Sequence, residues 1–540
     1  MPIKQSFFEL NDVRPLQSRP WIPLRQIADE RLDLGDPDVL RLEQYTAIAT
    51  AAVHKAKRSE AEKLGWSDLD VNSHRPAVED WGYAPSDVFR SWKKELGINL
   101  VIDQLLEHER RNIWHLHPDL IVALRLLHES DSWFRPEEGW AEVARLKRND
   151  KGEPMLFEIR AEFLGDYLAA RGMALYCSSY RERIAVTVAD PAYSPDEIET
   201  AEEGRDRREM ITTDADYPDP PGHFWTRGCL WRTEWVEPAT LSTRVGRDRD
   251  PHTATFALKS DGTRVNADQL AGPIAWLHFE PTLVSTLLRH RSGKLHWFSQ
   301  ETGALGATSH GVHFGVNDLG LITVLAKDVG DLDPWEQRLW SAHNVTPEGG
   351  VSAELFAAQM EVNPAATVAP EPKLKAALET LDDAFHARFN ARLLRDHGSV
   401  PDLLRRTHRF RAADPDGLPL LAKDVTRLLM ERVDVDAVAD AAGVAKGERK
   451  IASLKAIEKL VAKLRDETAA RTMMAPLFGI YDLRLADAHL GSSLADSGRA
   501  RVGVDDTMPA AMQGRALLAA LVGTIAEITA VLAEKGPSKA

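Results

Sequence analysis

The clearest pattern of apolar and polar positions lies in the last third of the chain. Leu374, Leu378, Leu381, Phe385, Phe389 and Leu393 recur every three or four residues, with Asp382, Arg388 and Arg392 between them. That spacing predicts an amphipathic helix. Leu420, Leu421, Val425, Leu428 and Leu429 form a second stripe, and Ile451, Leu454, Ile457, Leu460, Val461 and Leu464 a third. Pro476 fits the first turn of a fourth helix running to about Leu490, because a first-turn amide needs no partner. Met512 to Leu532 gives a fifth. Helical periods with short connections predict a bundle over 374–540.

Upstream the pattern is mixed. Leu40, Leu42, Tyr45, Ile48 and Ala52 predict a long helix within Pro37–Ala61. Ala141–Lys147 and Met155–Arg160 flank Asn149-Asp150-Lys151-Gly152 and predict a hairpin. Ala161–Gly172 reads as a short helix ending at glycine. Arg183–Val188 alternates as a half-buried strand, while 190–222, rich in Asp, Glu, Pro and Arg, reads as a solvated excursion. Thr255–Lys259 and Thr263–Asn266 flank an Asp-Gly hairpin signal. Leu295–Phe298, Gly311–Val316 and Leu321–Lys327 continue the strands. Asp333 and Pro334 read as N-cap and first position of a helix that carries Trp335 and Trp340. The expected fold class is α+β, with a largely antiparallel amino-terminal region followed by an all-α bundle.

Composition sharpens the boundary. All 14 tryptophans lie between Trp21 and Trp340. Pro364, Pro370 and Pro372 then interrupt 361–373, a segment that reads as an extended linker. From Glu371 onward 26 basic residues meet 24 acidic ones, so residues 1–370 carry −17 against a net −15 for the whole chain. The expected domains are 1–360, divisible at 222/223, and 374–540. An acidic chain disfavours broad non-specific coating of nucleic acid. Two cysteines, Cys177 and Cys229, cannot build a disulfide framework or a thiolate zinc site. The first ten residues hold no apolar signal-peptide region, and Ala516–Leu532 is short and interrupted for a membrane span. A cytoplasmic protein without membrane contact is expected.

Walker-type phosphate loops, HExxH, CxxC and GxSxG are all absent from the sequence, and the glycines of Gly303–Gly320 lack the strand–helix context of a dinucleotide site. His115 and His117 would share a face if they lay on a strand, with Asp119, Asp250 and His252 as conceivable further metal ligands. Packing in a turn explains Trp114 and Pro118 equally well. Arg405, Arg406, Arg409 and Arg411, with His408 among them, form the densest basic run and are candidate RNA-binding residues. Glu379, Asp382 and Asp383 are candidates to orient a catalytic group, against the default of a solvated helix face.

Near the end of the fourth helical segment the chain reads Tyr481-Asp482-Leu483-Arg484-Leu485-Ala486-Asp487-Ala488-His489. This resembles the Arg-x4-His signature of the HEPN family, helical-bundle domains many of which cleave RNA. Leu485 departs from the polar residue that often follows the arginine there. The resemblance covers the carboxy-terminal 170 residues and implies a metal-independent, cofactor-free endoribonuclease acting as a homodimer through its bundle. It assigns His489 to proton transfer and Arg484 to the scissile phosphate, roles that imidazole and guanidinium chemistry suit. By analogy it implies an antiviral or toxin-type effector, with RNA as partner and a protein partner for the amino-terminal region. The plain alternative for the motif pairs Arg484 with Asp487 and leaves His489 at a helix end. The corresponding functional alternative is a non-catalytic interaction or scaffold subunit.

Overall fold

A computed structural model describes residues 3–32, 35–64, 76–79, 82–91, 94–106, 111–189, 191, 199–215, 219, 221–245, 254–272, 274–308, 310–414, 417–445, 451–486 and 493–534. It is α+β, and it divides into two compact units, Met1–Pro251 and His252–Ala540.

The first unit is built on a twelve-stranded antiparallel sheet. Ten strands run in the order Glu199–Glu203, Asp206–Asp214, Phe224–Val236, Met173–Thr187, Val39–His54, Trp21–Arg31, Pro154–Arg160, Ala141–Arg148, Ser132–Arg135 and Leu127–Glu129. The hairpin at Asn149–Gly152 and the helix Ala161–Arg171, closed by left-handed Gly172, form as the sequence predicts. Two expectations fail. Pro37–Ala61 is not a helix: Val39–His54 is a strand near the sheet centre, paired with Trp21–Arg31 on one side and Met173–Thr187 on the other. Its Ala49, Ala51, Ala52 and Val53 are all buried, so both faces are covered and the alternation that marks a half-buried strand is lost. Nor is 190–222 only a solvated excursion. Glu199–Glu203 and Asp206–Asp214 pair as a hairpin in which Glu202 faces Arg207, so opposite charges support a polar edge.

The second unit joins a six-stranded antiparallel sheet to the helices. The sheet order is Lys294–Trp297, Thr302–Gly306, Val312–Val316, Ile322–Leu325, Trp276–Phe279, Asn344–Val345. The bundle helices are α1 (Glu371–Phe389), α2 (Val400–Arg406), α3 (Gly417–Leu428), α4 (Val435–Ala442), α5 (Ser453–Leu464), α6 (Glu467–Ala486), α7 (Ser493–Val502) and α8 (Ala510–Ala533). Eight described helices replace the five expected. Pro476 sits inside α6 rather than at its start. Ala470, Met474, Leu477, Ile480 and Leu483 are buried along that helix, and their packing carries it past the missing amide.

The compact division falls at 251/252, not within 361–373. The region 252–360 belongs with the bundle because residues after the prolines enter its sheet core. Phe410 and Ala511 are buried among Phe314, Leu305 and Val324. Trp340 is enclosed in this core, with its ring centroid 5.0 Å from that of Phe279. Gly514 of α8 lets that helix approach the turn at Arg409, where a Cβ would lie 2.2 Å from the Arg409 carbonyl oxygen.

Candidate functional site

Helix α2 is seven residues long and amphipathic: Leu403 is buried, while Asp402, Arg405 and Arg406 share its outer side. A one-and-a-half-turn 3-10 segment, Arg409–Ala413, follows it. Opposite lies the short helix Leu283–Leu288, whose last turn carries Ser285 and Leu288, with Arg289 as its C-cap. Between them is a cavity of about 430 Å³, walled by Arg289, Arg405, Arg406 and Arg411 with Asp402 and Asp414. Three of the four arginines named from sequence as nucleic-acid contacts therefore converge on one site.

Arg409 does not. It is fully buried, its guanidinium forks onto Glu371 at 2.7 and 2.9 Å, donates to the Gln300 carbonyl at 2.8 Å, and lies 4.0 Å from the Trp297 ring. At three residues per turn Arg409 and Ala412 share one side of this segment, and with Phe410 that side is buried, while Arg411 is turned to the cavity. Arg409 is a structural residue, unavailable to RNA.

The cavity arginines differ in how fully their donors are engaged. Arg405 Nη2 donates to the Leu288 and His290 carbonyls, each at 2.8 Å, satisfying the end of the facing helix. Arg411 donates through Nη1 to Asp414 at 2.6 Å and through Nε to buried Asp424 at 3.4 Å. Asp414 also accepts from Ser285 at 2.9 Å. Arg406 is half exposed and comes no closer than 3.9 Å to Asp424. His408 lines the cavity from beneath, 5% exposed, with Nδ1 enclosed and without a hydrogen-bond partner. Burial pushes its imidazole down to about 4, against the opposing pull of Glu371 and Asp414, so the ring is neutral at neutral pH.

The Arg-x4-His motif is only half described. Arg484 lies in the last turn of α6, and His489, with Asp487, falls outside the described residues. The Arg484 guanidinium pairs with Glu431 at 2.8 Å, not on its own helix but on the turn Met430–Arg432. Asp382 is engaged too: it accepts from the Leu393 and Leu394 amides and from Arg392, closing the loop after α1.

The histidine pair is not brought together. His115 lies on the strand Arg111–Leu116, with Nε2 2.8 Å from Gln104, while His117 is the N-cap of the next helix and its Nδ1 accepts from the Asp119 amide. Asp250 and His252 lie outside the described residues. Among the described residues no group of three or more His, Cys, Asp and Glu is placed to hold a metal. Cys177 and Cys229 are buried, and burial raises both thiols, Cys229 to about 11, so neither supplies a thiolate.

Sequence reasoning missed Arg289 and Ser285. Their signal was present in the basic run Arg289-His290-Arg291 ahead of Ser292-Gly293. Only the fold sets that run against a turn more than a hundred residues later. Comparison of the chain with protein-family profiles, with curated proteins and with solved structures finds no match.

Proposed function

We propose that the protein is a non-catalytic interaction scaffold that pairs with a second copy of itself through α8. The observation that carries this reading is an uncovered apolar helix. Ala510–Ala533 has a mean hydropathy of 2.1 over its most apolar window, yet only 44% of that window is buried within the chain. Ala516, Ala519, Gly523, Ala526 and Ala530 follow one another at spacings of three and four on its outward side. A groove borders the helix on each flank, of about 810 and 740 Å³. Lys373 and Arg515 line the first groove, Asp466 and Glu527 the second.

Such a face is complementary to itself. If two copies of α8 cross antiparallel about residue 521, Ala519 opposes the partner's Gly523 and Ala516 the partner's Ala526. Small residues allow close backbone approach. Size-exclusion chromatography with light scattering should give a dimer at micromolar concentration. Gly523→Arg should give a monomer with an unchanged circular dichroism spectrum, since a Cβ at Gly523 meets nothing within 4 Å. A monomeric wild-type protein overturns the proposal, and flotation of that monomer with liposomes would give the face to a lipid surface.

A second reading, the endoribonuclease, is favoured by one observation: Arg484 keeps about a third of its side chain exposed, five residues before His489.

A further inference from the structure

We propose that the arginine-walled cavity beside α2 binds the phosphate group of a hydroxylated phosphate monoester. The proposal stands apart from the scaffold reading and uses other residues.

The first argument is donor inventory. Each guanidinium carries five N–H donors. Arg289 makes no side-chain bond among the described residues, Arg405 engages only Nη2, and the contact of Arg406 is too long for a hydrogen bond. Acidic neighbours do not use up this surplus, as they do around Arg409. Solvent now takes those donors, and an acceptor-rich group in the cavity would gather them.

The second argument is charge. Four arginines face two aspartates, and Asp414 is already held by Arg411 and Ser285. A phosphate monoester carries close to two negative charges and three acceptor oxygens near neutral pH, which matches converging guanidinium forks better than one carboxylate does. Asp402 remains as an acceptor for a hydroxyl on the carbon skeleton.

The third argument is shape. A cavity of about 430 Å³ has the volume of a site for a small ligand or a chain end. Among the described residues Leu288 is its only apolar side chain and no ring except the buried His408 lines it, so these residues offer no platform on which successive bases could stack. A sugar phosphate and the 5′-phosphorylated end of RNA present the same chemistry.

Titration calorimetry on the full chain can separate these sources. The probes are inorganic phosphate, ribose 5-phosphate, and one oligoribonucleotide with either a 5′-phosphate or a 5′-hydroxyl. Saturable binding of ribose 5-phosphate alone marks a small-molecule site. Tighter binding of the 5′-phosphorylated strand than of its 5′-hydroxyl twin marks an RNA end. In either case Arg289→Gln with Arg406→Gln should weaken binding about tenfold or more, since charged hydrogen bonds are lost. Both side chains are solvent-exposed, so the double variant should keep the wild-type melting temperature. Asp402→Asn should tighten inorganic phosphate by removing a like charge. Absence of saturable binding to every phosphorylated probe overturns the proposal. So does a double variant that binds like wild type, or equal binding of the two strands without saturable binding of ribose 5-phosphate.

Discussion

The first unit and the second enclose arginines by the same rule and differ in what they leave over. In the first, Arg183 forks onto Asp12 at 2.9 and 2.7 Å, Arg232 onto Asp206 at 2.7 and 2.6 Å, and Arg244 bridges Glu138 and Asp166 at 2.8 and 2.6 Å. Each is a planar donor matched by a carboxylate, and each joins segments well separated in the sequence. In the second unit Arg409 and Glu371 repeat that pattern in the core. A few residues away Arg406 and Arg289 sit on a cavity rim without such partners. A matched buried arginine is spent on the fold, whereas an unmatched rim arginine keeps its donors for solvent or a ligand.

The largest test of this contrast removes the matched member. Arg409→Met should leave Glu371 buried, its side chain 6% exposed, without a counter-charge. Breaking one side of a buried pair costs about 3–5 kcal/mol, so the denaturant midpoint of the second unit should fall sharply. Replacing Arg406, on the rim, should change stability by less than about 1 kcal/mol. Equal losses from the two would erase the distinction between matched and unmatched arginines.

A smaller effect follows from His408, which lies between the two arginine environments. In the unfolded chain an imidazole takes up its proton near the ordinary value of 6.5, whereas the buried ring does so near 4. Between those values the unfolded state binds more protons, so stability falls as pH drops from about 6.5 to 4 and is fully present above 6.5. The facing groups are Glu371 and Asp414, which oppose the shift, and Arg409 and Arg411, which reinforce it. The difference corresponds to at most about 3 kcal/mol. Unfolding free energies measured across this range should show the slope, and His408→Gln should flatten it. A variant with the wild-type slope would assign the acid sensitivity to other groups.

The bundle was legible because its helices bury one stripe each and leave the other sides polar, so Leu374, Leu378, Leu381 and Phe385 announced α1 directly. Val39–His54 was not, because a strand covered on both faces loses its two-residue rhythm, and its alanines mimic a helix. The boundary misled for a related reason. Tryptophans and prolines mark composition, whereas domain membership depends on contacts such as Phe410 against Phe314, 6.0 Å between ring centroids and nearly a hundred residues apart. Half of the candidate site was visible as the run from Arg405 to Arg411. The run could not show that Arg409 points inward, and Arg289 could join only through the fold.

The smallest expected effect concerns Arg484. Its bond to Glu431 joins a 31%-exposed side chain to a 45%-exposed one, and exposed pairs of this kind contribute about 0.2–1 kcal/mol. Arg484→Ala should therefore leave the unfolding midpoint almost unchanged, which makes it a clean probe of chemistry. If the protein acts as a scaffold, Arg484→Ala and His489→Ala should match wild type in any assay of RNA integrity, and the dimer should persist in both. Selective loss of RNA cleavage in the two variants, with the dimer and midpoint retained, would reverse the order of the two functional readings. It would also move Arg484 from a minor surface pair to a guanidinium held for a scissile phosphate. Glu431 then becomes informative: Glu431→Gln frees Arg484 without removing it, so cleavage should rise if the ion pair restrains the arginine and stay flat if the pair is only packing.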